Sequence, residues 1–508
     1  MNQYNLVYRM IRWGKKNFYL SAGVFGCIVY ALSFLGYYTK MFGSAMLVIG
    51  TILTAIIGWF SLPMGIAIAL AELIFGSQGG SLFVVSDPFR LTLRMTIWTV
   101  LIGIALIRGW QQRKQVISAI LASSLRYGFV ALCIVIMWGW TLGIIYHNDL
   151  RFLITDGNGY LYYAFLMPVL VAMMDTTYSQ EKIARLVVWM FTAMAIFQIL
   201  FFLFSSWTLS MDWYAIVYYW VRDFRIVEIG KLAGSSLVRM FVQSQLYAVI
   251  ALGMLLPQWY KTKISRNDWL ISVLVVSVIF MSLSRSLWIG AMVMIFVFSI
   301  SCKIWKSWKQ AGRFAMRAVI VSLVSIAILS LSTASGFIGV VSGIQERSSF
   351  TIDEPAMRSR WELWPKMIDA IAQKPWFGYG FGKTITYASS DPKLVKIGVA
   401  QQYITSSFEW GYLDLLVKIG IIGTLFFIFF LFQVWRLGWR FASDSRRNTE
   451  ISMVYFGLWL GYTSLLVINF FTPYLNHPLG IGFIVVYTVL LLEKEHCLGY
   501  KTIPTHSE

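Results

Sequence analysis

Long apolar runs alternate with short polar segments, mostly basic, from one end of this chain to the other. Fourteen runs are candidate spans, at about 17–38, 42–60, 62–75, 92–107, 126–146, 159–175, 185–208, 241–257, 268–283, 287–303, 318–336, 411–432, 452–470 and 478–492. Stretches of 18 or more apolar residues recur along the whole length, long enough to cross a hydrocarbon core about 30 Å thick. They are continuous. A membrane β-barrel would instead show alternating segments of about ten residues. The pattern predicts an all-α fold, a polytopic transmembrane helical bundle of about 12–14 spans. The segment 42–75 sets that range, because Pro63 splits it and its second half is short. It reads as two spans or as a re-entrant pair.

Basic residues sort the loops into two sets. With the N-terminus in the cytoplasm, alternate loops hold Arg9, Arg12, Lys15 and Lys16, then Arg108, Arg113, Lys114 and Arg126, then Lys182 and Arg185. Later ones hold Lys261, Lys263 and Arg266, then Lys303, Lys306, Lys309, Arg313 and Arg317, then Arg436, Arg440, Arg446 and Arg447. The short loops between them are poor in bases. This is the positive-inside pattern, and it puts both termini in the cytoplasm. It also accounts for the net charge of +19 without a nucleic-acid partner. The stretch from Phe18 to Tyr38 is too long for a signal peptide and reads as the first span.

Composition agrees: 58% of the 508 residues are hydrophobic and 13% charged, against about 25% charged in a soluble domain. One integral membrane domain over 1–508 is the simplest description, with a large extracytoplasmic loop at 337–410 inserted between late spans. Within that loop Trp361, Trp364, Ile368 and Ile371 recur at helical spacing, which predicts a helix lying against the membrane surface. The segment 209–240, with Trp213, Tyr218, Tyr219 and Trp220, has an interfacial composition.

Several familiar chemistries are excluded. Gly378-Tyr-Gly-Phe-Gly-Lys383-Thr384 looks like a nucleotide loop, but Phe377 stands where Walker A needs its first glycine. The glycines read as a tight turn. The four histidines and four cysteines have no metal-ligand spacing, so no metal or other cofactor is expected. Arginine remains. Arg285 sits in a turn between two spans, where it is either a snorkelling helix-end residue or an anion ligand. Arg239, Arg347, Arg358 and Arg360 fall on the same side. Guanidinium grips phosphate bidentately and keeps its charge at any working pH, so such a set suits a diphosphate. Acids and bases on that side are Asp149, Asp156, Asp353, Glu354, Glu409 and His477. Glu409 precedes a helix start, where it reads equally as a capping carboxylate or a catalytic group. Lys418 falls within the span that follows, in the protein interior or a polar cavity.

Five stretches carry a resemblance. They are Arg239-Met-Phe-Val-Gln-Ser-Gln-Leu-Tyr, Ser284-Arg-Ser-Leu-Trp288, Arg360-Trp-Glu-Leu-Trp364 with Lys374-Pro-Trp-Phe-Gly-Tyr-Gly380, Gly411-Tyr-Leu-Asp-Leu-Leu-Val-Lys-Ile-Gly-Ile-Ile-Gly423, and Pro473-Tyr-Leu-Asn-His-Pro-Leu-Gly480. Over residues 150–490 the chain resembles the O-antigen polymerase and O-antigen ligase superfamily, the Wzy-type integral membrane glycosyltransferases of the bacterial inner membrane. The resemblance implies an undecaprenyl-diphosphate-linked glycan as donor, working outside the membrane without metal. It implies that Arg285 and Arg360 engage the diphosphate. For that chemistry Arg239, Arg358 and His477 are the further candidate substrate-binding residues, and Glu409 is the candidate base. A flippase and a chain-length regulator of the same pathway are the implied partners. Ligases of the superfamily carry a histidine before the Gly411 span, where this chain has Glu409, so a polymerase is expected. Ligase is the nearest alternative. A transporter of lipid-linked sugar is the rival class, and no internal repeat supports it.

Overall fold

The computed structural model describes residues 18–77, 84–85, 91–173, 180–231, 237–303, 307–333, 336–348, 355–390, 395, 398–399, 402–443 and 450–499. It is an all-α, multi-pass membrane architecture with three short two-stranded sheets among the described residues. Each of the fourteen apolar runs is helical over most of its described residues, although 159–175 and 411–432 are broken. In the first, Leu150–Leu161 passes through a single 3-10 turn, Tyr162–Phe165, into Leu166–Met173. Seven described helices are long and apolar enough to cross a membrane: Phe18–Tyr38, Lys40–Phe60, Leu93–Gln111, Arg126–Ile145, Leu186–Thr208, Trp308–Ser330 and Gly411–Ser443. Three more apolar helices, Leu62–Gly76, Arg285–Ser301 and Ser452–Ile468, are shorter. At 1.5 Å per residue, a 15-residue helix such as Leu62–Gly76 covers only about 22 Å.

The chain forms two compact units. The first comprises residues 1–111 and 167–348. Helices Phe18–Tyr38 and Gln180–Thr208 pack closely there, because a side chain at Gly26 would stand 3.0 Å from Phe197 Cβ. The Tyr30 ring stacks on Phe197 at 3.7 Å. Small residues serve this purpose in membranes, where backbones must approach to gain van der Waals contact. Two buried arginines of this unit are paired. Arg94 Nε meets Glu72 Oε2 at 2.6 Å, and Arg94 Nη2 donates to the Ser77 carbonyl. Arg317 donates to the carbonyls of Trp259, Lys261 and Thr262, the open C-terminal end of Leu246–Tyr260. Those carbonyls have no helical partner of their own, so the arginine satisfies them.

The second unit comprises residues 112–166 and 349–508. Its organising feature is a break in the Gly411–Ser443 helix. Gly420 adopts φ 65° and ψ −174°, outside the helical region. In an unbroken helix the N–H groups of Ile421 and Ile422 would donate to the carbonyls of Val417 and Lys418. Instead Ile421 N–H donates to Pro375 O at 2.8 Å and Ile422 N–H to Trp376 O at 3.1 Å. The two released carbonyls accept from Tyr379 N–H at 3.0 Å and Gly380 N–H at 2.7 Å. All four groups are satisfied, which a break inside a membrane helix requires. The partner is the turn after the Pro355–Gln373 helix. Its glycines Gly378, Gly380 and Gly382 all have positive φ, near 74°, 79° and 80°. A Cβ on Gly380 would lie 2.0 Å from Gly143 N, and one on Gly378 2.6 Å from Gly420 N. The tight turn expected from the sequence is therefore wedged between the Arg126–Ile145 and Gly411–Ser443 helices.

The Pro355–Gln373 helix buries Leu363, Met367 and Ala370 against Ile385, Phe408 and Val417. This stripe differs from the one the sequence suggested. Of the expected face, Trp361 and Ile368 remain exposed and Trp364 and Ile371 are half-buried.

Candidate functional site

Strand Ile385–Tyr387 pairs antiparallel with Tyr403–Thr405, and the chain then turns through Phe408 into the Gly411–Ser443 helix. This return brings Glu409 beside Arg360, which lies on the Pro355–Gln373 helix. Arg360 Nε donates to Glu409 Oε2. Both side chains keep a third to a half of their surface exposed, 37% and 52%. Trp410 Nε1 donates to the Arg360 carbonyl at 3.3 Å, and the Trp410 ring meets Trp364 edge-on. Glu409 is not the helix cap. Trp410 holds that place, its carbonyl accepting Asp414 N–H.

The Gly411–Ser443 helix carries a buried polar cluster. Lys418 Nζ lies 2.6 Å from Asp156 Oδ1 and 2.5 Å from Asp414 Oδ1, with no exposed surface on the lysine. Asn476 Nδ2 donates to Asp414 Oδ2 at 3.0 Å, and Gly382 N–H donates to Asp156 Oδ2 at 3.0 Å. The cluster ties three separate elements to the broken helix: the Leu150–Leu161 helix, the glycine turn and the 469–476 turn. Asn148 Nδ2 adds bonds to the carbonyls of Tyr379 and Phe381. Sequence reading identified Lys418 as interior but missed Asp414, Asn476 and Asn148. The spacing of Asp414 and Lys418, i and i+4 on one helix face, was the available signal.

The remaining expected residues are placed as follows. Arg358 is well exposed and pairs with Glu362 one turn on, at 3.5 Å. His477 caps the Pro478–Gly499 helix, its Nδ1 accepting Leu479 N–H at 3.3 Å and its carbonyl accepting Ile481 N–H. Proline at the first helical position fits that cap. In the first unit three arginines gather at the turn between Arg266–Ser282 and Arg285–Ser301. Arg239 Nε donates to Ser282 O at 3.4 Å, and Arg285 Nε donates to the Arg347 carbonyl at 2.8 Å. Arg285 is thus part-buried and anchored rather than simply snorkelling. Asp353 and Glu354 lie outside the described residues. Among the described residues no cluster of His, Cys, Asp and Glu has the makings of a metal site.

Residues 270–428 match the family model described as O-antigen ligase, Wzy_C. A general O-oligosaccharyltransferase of Acinetobacter baylyi is 29% identical over 126 residues, which is 23% of this chain and 20% of that protein. A ComP-specific O-oligosaccharyltransferase of the same organism is 26% identical over 155 residues, 30% of this chain and 26% of the relative. The match thus spans about a fifth to a quarter of the length of these curated relatives. The matched domain takes in the Arg285 turn, the Arg360–Glu409 pair and the start of the broken helix, and over this stretch the chain is similar to the O-antigen ligase family.

Proposed function

We propose that this chain is a polysaccharide polymerase of the bacterial inner membrane, with both termini cytoplasmic. It joins undecaprenyl-diphosphate-linked repeat units on the outer face. The acceptor is a sugar hydroxyl of one lipid-linked unit. Its oxygen attacks the anomeric carbon of the donor glycan, and the bond from that carbon to the diphosphate oxygen breaks. The electron pair leaves with the polyprenyl diphosphate, and the hydroxyl proton passes to Glu409. Arg360 offers the diphosphate its remaining N–H donors while Nε holds Glu409. Fixed positive charge where negative charge develops is an effective way to lower such a barrier.

The observation that carries this reading is the exposed Arg360–Glu409 pair. A base and an anion holder stand side by side at the position where a ligase is expected to have histidine. Arg285, with Arg239 and Arg347 around it, is the corresponding diphosphate ligand proposed for the first unit. Ligation of a finished glycan to lipid A core or protein is the second reading, favoured by the names of the matching family and relatives. The glycan of a deletion strain separates the two. Loss of polymerase leaves single repeat units on the acceptor or carrier lipid and no long glycan. Long glycan persisting on the carrier lipid would contradict polymerisation and support ligation.

A further inference from the structure

The glycine turn carries a second cationic site that the chemistry above does not use. Lys374 ends the Pro355–Gln373 helix region and Lys383 follows the last glycine of the turn. Lys374 Nζ lies 3.2 Å from the Tyr146 ring centroid and 4.7 Å from that of Tyr379. Lys383 Nζ lies 4.2 Å from the same Tyr379 ring. Two ammonium groups therefore approach the same Tyr379 ring, held by cation–π attraction. Among the described residues neither lysine has a carboxylate within ion-pair distance or a hydrogen-bond acceptor. Burial, and secondarily the neighbouring Lys374 charge, push the Lys383 ammonium below the usual lysine range. Like charges gathered without a counter-ion are unfavourable until an anion binds between them. The scaffold is rigid: Tyr379 N–H is held by Val417 O, its hydroxyl by Gln373 Oε1, and the turn by its buried glycine contacts.

We infer that Lys374 and Lys383 bind a second diphosphate, that of the lipid-linked acceptor. The inference rests on the polymerase reading. A polymerase that joins two lipid-linked glycans holds two diphosphates at once, one leaving from the donor and one retained by the acceptor. Arg360 serves the first. From Lys383 the chain runs four residues along strand Ile385–Tyr387 to Tyr387, whose phenol feels the Glu409 charge. At ~3.3 Å per residue that is about 13 Å, room for saccharide between the two anions. Lysine suits the retained site. It is a point charge without the bidentate fork of arginine, so it holds an anion that must later move on.

The test uses the full-length chain in phosphatidylcholine nanodiscs, with undecaprenyl diphosphate as probe and native mass spectrometry as readout. The parent chain for the count carries Arg285→Gln, which removes the ligand proposed for the first unit, and it should bind two molecules. Lys374→Gln with Lys383→Gln should bind one, Arg360→Gln should bind one, and Lys374→Arg with Lys383→Arg should again bind two. Each single glutamine variant should weaken the second site about tenfold, the order expected for a charge-assisted bond. Thermal unfolding checks that the variants fold, and the singles serve if the double does not. Two molecules on the double glutamine variant in that parent, or one on the parent itself, would overturn the inference. So would a variant that keeps both diphosphates but loses phosphatidylglycerol retained from the cell membrane, which would make this a phospholipid headgroup site. Two bound diphosphates without polymer formation by wild type would instead reject the polymerase reading and leave the second anion site standing.

Discussion

Arg360 donates its Nε–H to Glu409 across forty-nine residues of chain, and both partners remain open to solvent. An exposed pair of this kind contributes only about 0–1 kcal/mol to stability. Arg360→Lys and Glu409→Gln should therefore leave the unfolding temperature within a few degrees of wild type. Activity should fall about a hundredfold or more in each, the usual range for loss of a positioned base. Arg285→Lys should behave like Arg360→Lys, since lysine keeps the charge and loses the fork. Parallel thermal unfolding and polymerisation assays check this. Full activity in either lysine variant would reduce that arginine to a generic charge.

The Asp156–Lys418–Asp414 cluster should show the opposite behaviour. It is buried, so removing the cation strands two carboxylates at a cost of roughly 3–5 kcal/mol. Lys418→Met should lower the unfolding temperature sharply and reduce the folded yield. Adding Asp156→Asn and Asp414→Asn to it should recover much of the loss, because the stranded charges are gone. Additive losses across the three changes would show that the groups do not act as one network.

Two glycines separate strain from space. Gly398 has φ 75° with nothing near its missing Cβ, so Gly398→Ala should cost only about 1 kcal/mol. Gly420 has φ 65°, and a Cβ there would meet Trp376 O at 2.4 Å. Gly420→Ala should push the glycine turn off the broken helix and abolish folded protein, a contrast visible in size-exclusion profiles of the two variants.

The proposed topology places the glycine turn outside and the loop before Arg113 inside. In a cysteine-free background, Thr386→Cys should react with an impermeant thiol reagent in intact spheroplasts, and Gln112→Cys only after lysis. Both positions are exposed. Ser286 and Ser389, on the same proposed side as Thr386, are buried and would report nothing. Labelling of Gln112→Cys in intact cells would reverse the orientation.

The spans were legible because hydrophobic runs long enough to cross a bilayer leave little choice of structure. The arginines and Glu409 were legible as chemistry that the apolar runs did not need. Their partners were not. Arg360 and Glu409 meet only because a strand pair returns the chain, and Lys418 meets Asp156 from 262 residues away. The glycines at 378, 380 and 382 were readable as a turn. That the turn replaces helical hydrogen bonds at Gly420 depends on long-range packing, which local pattern does not encode.

The central claim is that this chain polymerises lipid-linked repeat units using Arg360 and Glu409. Purified protein in vesicles, given only undecaprenyl-diphosphate-linked repeat units, tests it most directly. A ladder of carrier-linked products should form without ATP and in the presence of a metal chelator. Glu409→Gln should leave single units. Absence of any ladder from folded wild-type protein, together with transfer of preformed long glycan to a lipid A core or protein acceptor, would contradict the account and make the chain a ligase.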